Sequence, residues 1–441
     1  MRKLLLIALM AVVVFSAFAG GSKEETAKTN EIITLEWWTW DTGMIEQNQS
    51  IIAQYEATHP NVKINNTVIA TDGGAYKTQL SVLAQQKALP DVFMLSSGDI
   101  EEWASNGLCR KLDDLVASDP DIYKKFYESM FTSLKDVAKT DYLPGFPFAY
   151  VSCDLFYNKD AFDAAGLEYP NENWTWDDFL AAAKVLTVDK NGDGEIDQWG
   201  YYGYGRYAEA QAWIFANGGV LTNDKTHTFE PNQNALDAIQ FMSDLVNVYK
   251  VAPSPKDMSA IKYKTIFPNQ IVAMFVDGGW FADDFRKNIG DKFQWGVTRV
   301  PVGPNGQAKV TYGWPDSYVI SPFTEHAQAA WEFTKYIAGE GIGLDQFMAG
   351  KMPAYKALVE SDAFVDMTQQ PYGDMQLFRD HASDTFVTSY TQGWSEWVGY
   401  GAAESMGLNG AIDSILNGET TLAEILPSLT DSINKILSRY Y

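Results

Sequence analysis

The residues best suited to chemistry are aromatic rings set beside charges, repeated along the chain in turn-like sequence. They are Trp38, Trp40 and Asp41; Ser97 and Asp99; Tyr204-Gly-Arg206-Tyr207; Asp277-Gly-Gly-Trp280; Trp314-Pro-Asp316; and Trp394-Ser-Glu-Trp397. An indole or phenol face stacks on apolar C–H surface, while a neighbouring carboxylate or guanidinium answers hydroxyl groups. A sugar, with C–H faces ringed by hydroxyls, needs that pairing. Among 14 Trp and 23 Tyr most rings belong to a core, and any one of these serves packing as readily as binding. As a set beside Gly, Asp and Asn, they are better explained by ligand contact.

A second motif is Asp189-Lys-Asn191-Gly-Asp193-Gly194-Glu195-Ile-Asp197. Its side-chain oxygens and its central glycine fall at the spacing of a Ca2+-binding loop, with Glu195 placed to supply a carbonyl. Gly200 stands where an EF-hand has its bidentate Glu, and no second helix is signalled after it. The expectation is a structural Ca2+ held by Asp189, Asn191, Asp193, Glu195 and Asp197, weaker than a sensor site; an unoccupied acidic turn is the alternative.

Catalysis finds little support. His59, His227, His326 and His381 have no spacing that seats a metal on one helix face. No nucleophile elbow, phosphate loop or dinucleotide fingerprint occurs. The pairs Glu101/Glu102 and Asp177/Asp178 are adjacent and point apart on a helix. Two carboxylates distant in sequence could still hydrolyse a glycoside, so a secreted carbohydrate-active enzyme is the rival class.

The elements that must position these residues alternate. Ile33–Trp37 reads as a strand, Ile51 to Tyr55 as a helix ending at His59-Pro60, and Val62 to Val68 as a strand. Leu80 to Ala84 suits a helix, and Asp91–Leu95 a short buried strand. That order predicts a mostly parallel sheet flanked by helices, with ligands at the carboxyl ends of strands. Later come a strand over Val151–Tyr157, a helix capped by Thr175 and Asp178, and a long helix through Leu236–Tyr249. Strands follow at Ile271–Val276 and Trp295–Pro301. Ala327, Ala330, Trp331 and Ala338 share a helix face, and Leu422 to Leu437 forms an amphipathic tail interrupted by Pro427.

The first residues set the compartment. Met1-Arg-Lys3, an apolar run from Leu4 to Phe15 and Ala17-Phe-Ala19 form a signal peptide over 1–19, cleaved after Ala19. No cysteine stands at the cut to carry a lipid, so the mature protein is expected free in the periplasm or medium, with residues 20–31 a disordered leader. A net charge of −24 disfavours nucleic acid and anionic lipid. Cys109 and Cys153 could pair or stay single; neither is needed for a chain of this length.

The ordered series Glu36-Trp-Trp-Thr-Trp40, Pro90-Asp-Val-Phe93, Phe156-Tyr-Asn-Lys-Asp160, Asn173-Trp-Thr-Trp176, Met274-Phe-Val-Asp-Gly-Gly-Trp280 and Trp295-Gly-Val297 resembles the family 1 extracellular solute-binding proteins of ABC importers, the maltose-binding-like group. The resemblance implies an α/β, two-lobe periplasmic-binding-protein fold of type II, each lobe built from non-contiguous segments. The lobes are expected at 32–147 plus 308–358 and at 150–305 plus 360–441. It implies a monomer that captures a sugar, of two or more rings, in the interlobe cleft and delivers it to permease subunits, with no chemistry and no catalytic cofactor. Trp280 is carried over as a stacking ring. Trp38, Trp40 and Asp41 match one cleft loop, Tyr204 to Tyr207 the facing one, and Trp394 with Trp397 a further ring. A glycerol phosphoester or a polyamine is the alternative ligand: the first would want cations at the cleft, the second carboxylates between rings.

Overall fold

The computed structural model describes residues 32–71, 74–343, 351–364, 376–381, 384–399 and 407–441. The expected signal segment and leader lie outside the described residues. Strand β1 (Ile33–Thr39) pairs in parallel with β2 (Val62–Val68) and β3 (Val92–Leu95). Leu35 and Trp37 face inward from β1 while Thr34 and Glu36 do not, the alternation a strand covered on one side requires. Helices Ile45–Thr58 and Ala75–Gln85 make the crossovers, burying Ile51, Ile52, Tyr55 and Leu80. Helix Ser97–Ser105 leaves directly from the end of β3, with Ser96 capping its first turn through the Gly98 amide.

The next strand carries the chain from one half of the molecule to the other. All 13 residues of β4 (Phe146–Asn158) are buried. Beyond it lie β5 (Trp199–Tyr201), the hairpin β6 (Thr222–Asn223) and β7 (Thr228–Phe229), β8 (Val272–Gly278), β9 (Trp295–Thr298) and β10 (Val310–Ile320). Strands β11 (Met352–Pro353) and β12 (Thr385–Val387) complete the sheets. The start of β4 pairs antiparallel with β10, and its end with β8 and β9. Strand β10 likewise pairs with β3 at its end and with β12 at its start. The sheet order is β2-β1-β3-β10-β4-β8-β5, so β4 and β10 form the shared middle. The outer pairings β1/β2, β1/β3 and β5/β8 are parallel as expected, and the crossing strands make the whole sheet mixed.

The expected divisions near 147–150 and 305–308 fall inside β4 and just before β10. Apolar packing falls into two clusters. One gathers β1 to β3 and their helices together with helix Phe281–Ile289 and β9, and the other helices Trp176–Leu186, Tyr207–Ala216, Gln233–Asn247, Gly407–Leu416 and Leu422–Leu437. Strand β8 feeds both, sending Phe275 to the first and Met274 and Val276 to the second. Phe364, Leu377 and Phe378 pack in the first cluster, which also takes in Phe281, Phe285 and Trp295 of the other half.

The Thr175/Asp178 capping box forms, with the Thr175 hydroxyl and the Asp178 carboxylate each bonded to the other's backbone. The expected break at Pro427 does not occur. Helix Leu422–Leu437 runs through it and buries Leu429, Ile433 and Leu437 on one stripe. Pro427 sits early in that helix, where it removes one ladder bond, and the packed stripe outweighs the loss. Both cysteines are buried and unpaired.

Candidate functional site

Strand β8 is apolar because both its faces are covered, and it ends in Asp277-Gly-Gly-Trp280. Asp277 is fully buried yet charged in type, so it needs partners. The Arg206 Nη1 donates to both of its carboxylate oxygens at 2.5 Å, the Tyr204 hydroxyl donates to it, and the Gly278 amide approaches at 2.6 Å. A side chain at Gly278 would collide with the Trp280 ring, which folds back over it. Glycine there lets the indole lie beside the Arg206 guanidinium, 5.4 Å from ring centroid to carbon. Tyr207 and Tyr263 flank the same guanidinium at 5.1 and 5.3 Å. Burial works against the Arg206 charge, and the Asp277 carboxylate more than offsets it, holding the group firmly protonated.

From Trp280 the rings continue across β10. The Trp280 and Trp314 centroids lie 5.9 Å apart, and Trp314 meets Tyr390 at 5.7 Å and Tyr207 at 6.3 Å. Trp394 stands edge-on to Tyr207 at 5.3 Å and to Tyr390 at 4.7 Å. A register shift in the β4/β10 ladder at Asp316/Ser317 marks the spot where Trp314 and Asp316 project. The Trp314 indole N–H reaches Asp316 at 3.2 Å, and Lys351 bonds the other Asp316 oxygen at 3.0 Å. Lys351 in turn lies 5.8 Å from the rings of Trp40 and Phe148. Burial opposes the Lys351 charge, while Asp316 and Asp41 raise its pKa above the usual lysine value. At the far rim Asp99 pairs with Lys77 and accepts from the Ser395 hydroxyl at 3.1 Å.

Arg206, Tyr204, Tyr207, Asp277, Trp280, Trp314, Asp316 and Trp394 thus come together, and Trp40 and Asp41 join through Lys351. Asp99 lies at the edge of the belt. Ser97 gives its hydroxyl to the Pro315 carbonyl, tying helix Ser97–Ser105 to β10. Trp38 is half-buried against the first cluster, where its carbonyl accepts from Tyr76 at 3.1 Å. Trp397 does not join the belt: it is fully buried, gives its N–H to Thr391 at 2.8 Å and packs on Phe229. Both tryptophans are buried on helix Trp394–Val398, and the full burial of Trp397 stabilises the fold. Sequence reasoning missed Tyr263, Tyr390, Lys351 and Lys77. Tyr390 lies in irregular chain ahead of helix Trp394–Val398, so neither it nor the lysines carried a local signal.

In the acidic loop, Asp189 accepts from the amides of Gly192 and Gly194 at 2.6 and 2.8 Å. These amides, Gly194 foremost, hold its carboxyl below the usual range. Asn191 accepts from Asp193, Asp193 from Glu195, and Asp197 from Lys190. Gly194 takes a φ of +96°, the left-handed turn for which glycine was expected. Among the described residues no three His, Cys, Asp or Glu side chains group as a metal site.

The chain is similar to known proteins. A putative binding protein of Brucella abortus is 23% identical over 350 residues, covering 78% of this chain and 79% of its own. The galactooligosaccharide-binding protein of Bacillus subtilis is 23% identical over 383 residues, covering 82% of this chain and 83% of its own. Among solved structures, an ABC substrate-binding protein of Listeria monocytogenes in complex with cycloalternan superposes with a TM-score of 0.76 at 23% identity, over 92% of this chain and all of that one. That likeness establishes the two-lobe fold. With the family pattern matching residues 43–343, the chain belongs to the bacterial extracellular solute-binding proteins.

Proposed function

We propose that the protein binds a neutral saccharide of two or more rings between its halves and delivers it to the permease subunits of an ABC importer. The observation that carries this reading is the belt itself: rings in series, with every cation among them in the described residues already paired. Arg206 is matched by Asp277, Lys351 by Asp316 and Lys77 by Asp99. A phosphoester would need an unmatched cation, and a polyamine would need more than one unmatched carboxylate, whereas only Asp41 among the described belt carboxylates lacks an ion pair. A sugar needs neither, and its hydroxyls can bond to donors left over on groups whose charge is balanced. The relatives named for galactooligosaccharide and maltooligosaccharide binding support the same class.

On this reading the protein is a monomer that binds without turnover, exported by residues 1–19 with cleavage after Ala19, and free of a lipid anchor. Among the described residues no helix is long and apolar enough to cross a membrane. A Ca2+ ion in the Asp189–Asp197 loop is a separate proposal, in which oxygens not bonded to amides turn to the metal.

The test is calorimetric titration of the mature protein with mono-, di- and oligosaccharides, glycerol phosphodiesters and polyamines, followed by analysis of the recovered ligand. Heat with an oligosaccharide that is recovered intact supports the reading. Shortened sugar would make the protein an enzyme, and heat only with a charged ligand would replace the sugar.

A further inference from the structure

The last residues of the sequence lie across the rim where the two halves meet. The Tyr441 ring stacks on His227 in the β6–β7 turn, 3.8 Å between centroids and 8° between planes. Its hydroxyl accepts from the Gln392 amide at 3.1 Å and donates to Glu101 Oε1 at 2.6 Å. His227 and Gln392 belong to the half that holds β6, β7 and helix Leu422–Leu437. Glu101 belongs to helix Ser97–Ser105, which springs from β3 in the other half.

Three further contacts cross the same rim. Trp394 packs so closely on the start of helix Ser97–Ser105 that a methyl group at Gly98 would come within 2.7 Å of its ring. Ser395 bonds Asp99 at 3.1 Å. Lys139 lies 3.4 Å from Glu101 and 3.3 Å from Asp224 of the β6–β7 turn. Glu101 is 5% exposed, and among the described residues Tyr441 is its hydrogen-bond partner. Parting the halves would strip that bond and rehydrate the carboxylate. The two effects oppose each other, so the contact biases closure and does not lock it.

We infer that Tyr441 and Trp394 form a latch against Glu101 and Gly98 that holds the two halves closed over bound solute. The inference rests on the solute-binder reading above for its purpose, and on the rim contacts alone for its geometry. Tyr441 is a positioning residue here: it touches neither the ring belt nor Arg206, and it acts on the solute through closure.

Small-angle scattering of the ligand-free protein tests the latch without any ligand, so a wrong solute class leaves the test intact. Tyr441→Phe keeps the ring on His227 and removes only the hydroxyl; Gly98→Ala pushes against Trp394. Both variants are expected to show a larger radius of gyration than wild type, at unchanged circular dichroism. For any saccharide that the wild type binds, Tyr441→Phe should weaken affinity roughly tenfold, the scale of a hydrogen bond to a charged group. Should Gly98→Ala misfold, Tyr441→Phe decides alone. A radius and affinity in Tyr441→Phe equal to wild type would overturn the latch, as would a wild type already as expanded as the variants.

Discussion

Arg206 places one guanidinium nitrogen between the two carboxylate oxygens of Asp277, 2.5 Å from each. Among the described residues its other nitrogens carry no hydrogen bond, and three rings surround the group. The charge is balanced from beneath while donors remain toward the belt. Asp277→Asn should leave that cation unmatched, so phosphate or sulfate, inert toward wild type, should raise the melting temperature of the variant. No anion effect in Asp277→Asn would remove charge balance as the basis of ligand choice. Arg206→Ala, which strands a buried carboxylate, should cost about 3–5 kcal/mol of stability in denaturant unfolding.

Two tryptophans separate binding from folding. Trp280 is partly exposed beside Arg206, whereas Trp397 is buried in the core. Trp280→Ala should lower saccharide affinity by roughly tenfold or more, given the ~0.5–1.5 kcal/mol of a ring contact plus the lost area. Its unfolding midpoint should scarcely move. Trp397→Ala should do the reverse, losing about 3–5 kcal/mol of stability while the folded fraction binds normally. Urea unfolding and titration calorimetry on both variants read this out, and equal effects would contradict the placement.

A buried charge cluster joins the crossing strands. His381 bonds Asp384 at 2.6 Å and Asp154 of β4 at 3.0 Å. Arg299 and Thr311 of β10 also bond Asp384, Ser152 bonds Asp154, and Glu172 lies 3.4 Å from Arg299. Burial opposes the imidazolium, but Asp154 and Asp384 prevail and lift its pKa from 6.5 to about 9. Burial also opposes the Asp384 charge, and His381 with Arg299 pulls its pKa down from 3.8 to about 2. A raised histidine pKa adds stability that is complete below about 6.5 and is lost as pH rises through 9. A lowered carboxyl pKa adds stability that is present above 3.8 and lost as pH falls toward 2. Unfolding free energy should therefore hold a plateau between those limits and fall on both sides. The alkaline loss should be on the order of 3 kcal/mol and absent in His381→Gln. An alkaline limb unchanged by that substitution would rule His381 out as its source.

The acidic loop gives a metal-dependent outcome. With Ca2+ at about 100 times its dissociation constant, the folded state should gain roughly 2.7 kcal/mol, and EDTA should take it away. Asp193→Ala should abolish the difference. Identical melting curves in Ca2+ and EDTA would leave the loop held by its own amides alone.

Much of this molecule was legible locally. Alternation along Ile33–Thr39, the Thr175/Asp178 cap and the glycine at 194 are decided by neighbours a few residues away, so pattern and propensity reveal them. The rings beside carboxylates could be picked out from residue type and neighbours alone, and most of them meet in one belt. Tertiary structure decided the rest. Only the pairing of β4 with β10 brings Trp314 of one segment to Trp280, Tyr390 and Tyr207 of three others. Only packing sends Trp394 to the rim and Trp397 to the core, and only it sets Lys351 against Asp316. Partners so distant in sequence meet because burying apolar surface on both sides of one sheet offsets the chain entropy of bringing them together, and no local pattern records where that closure falls.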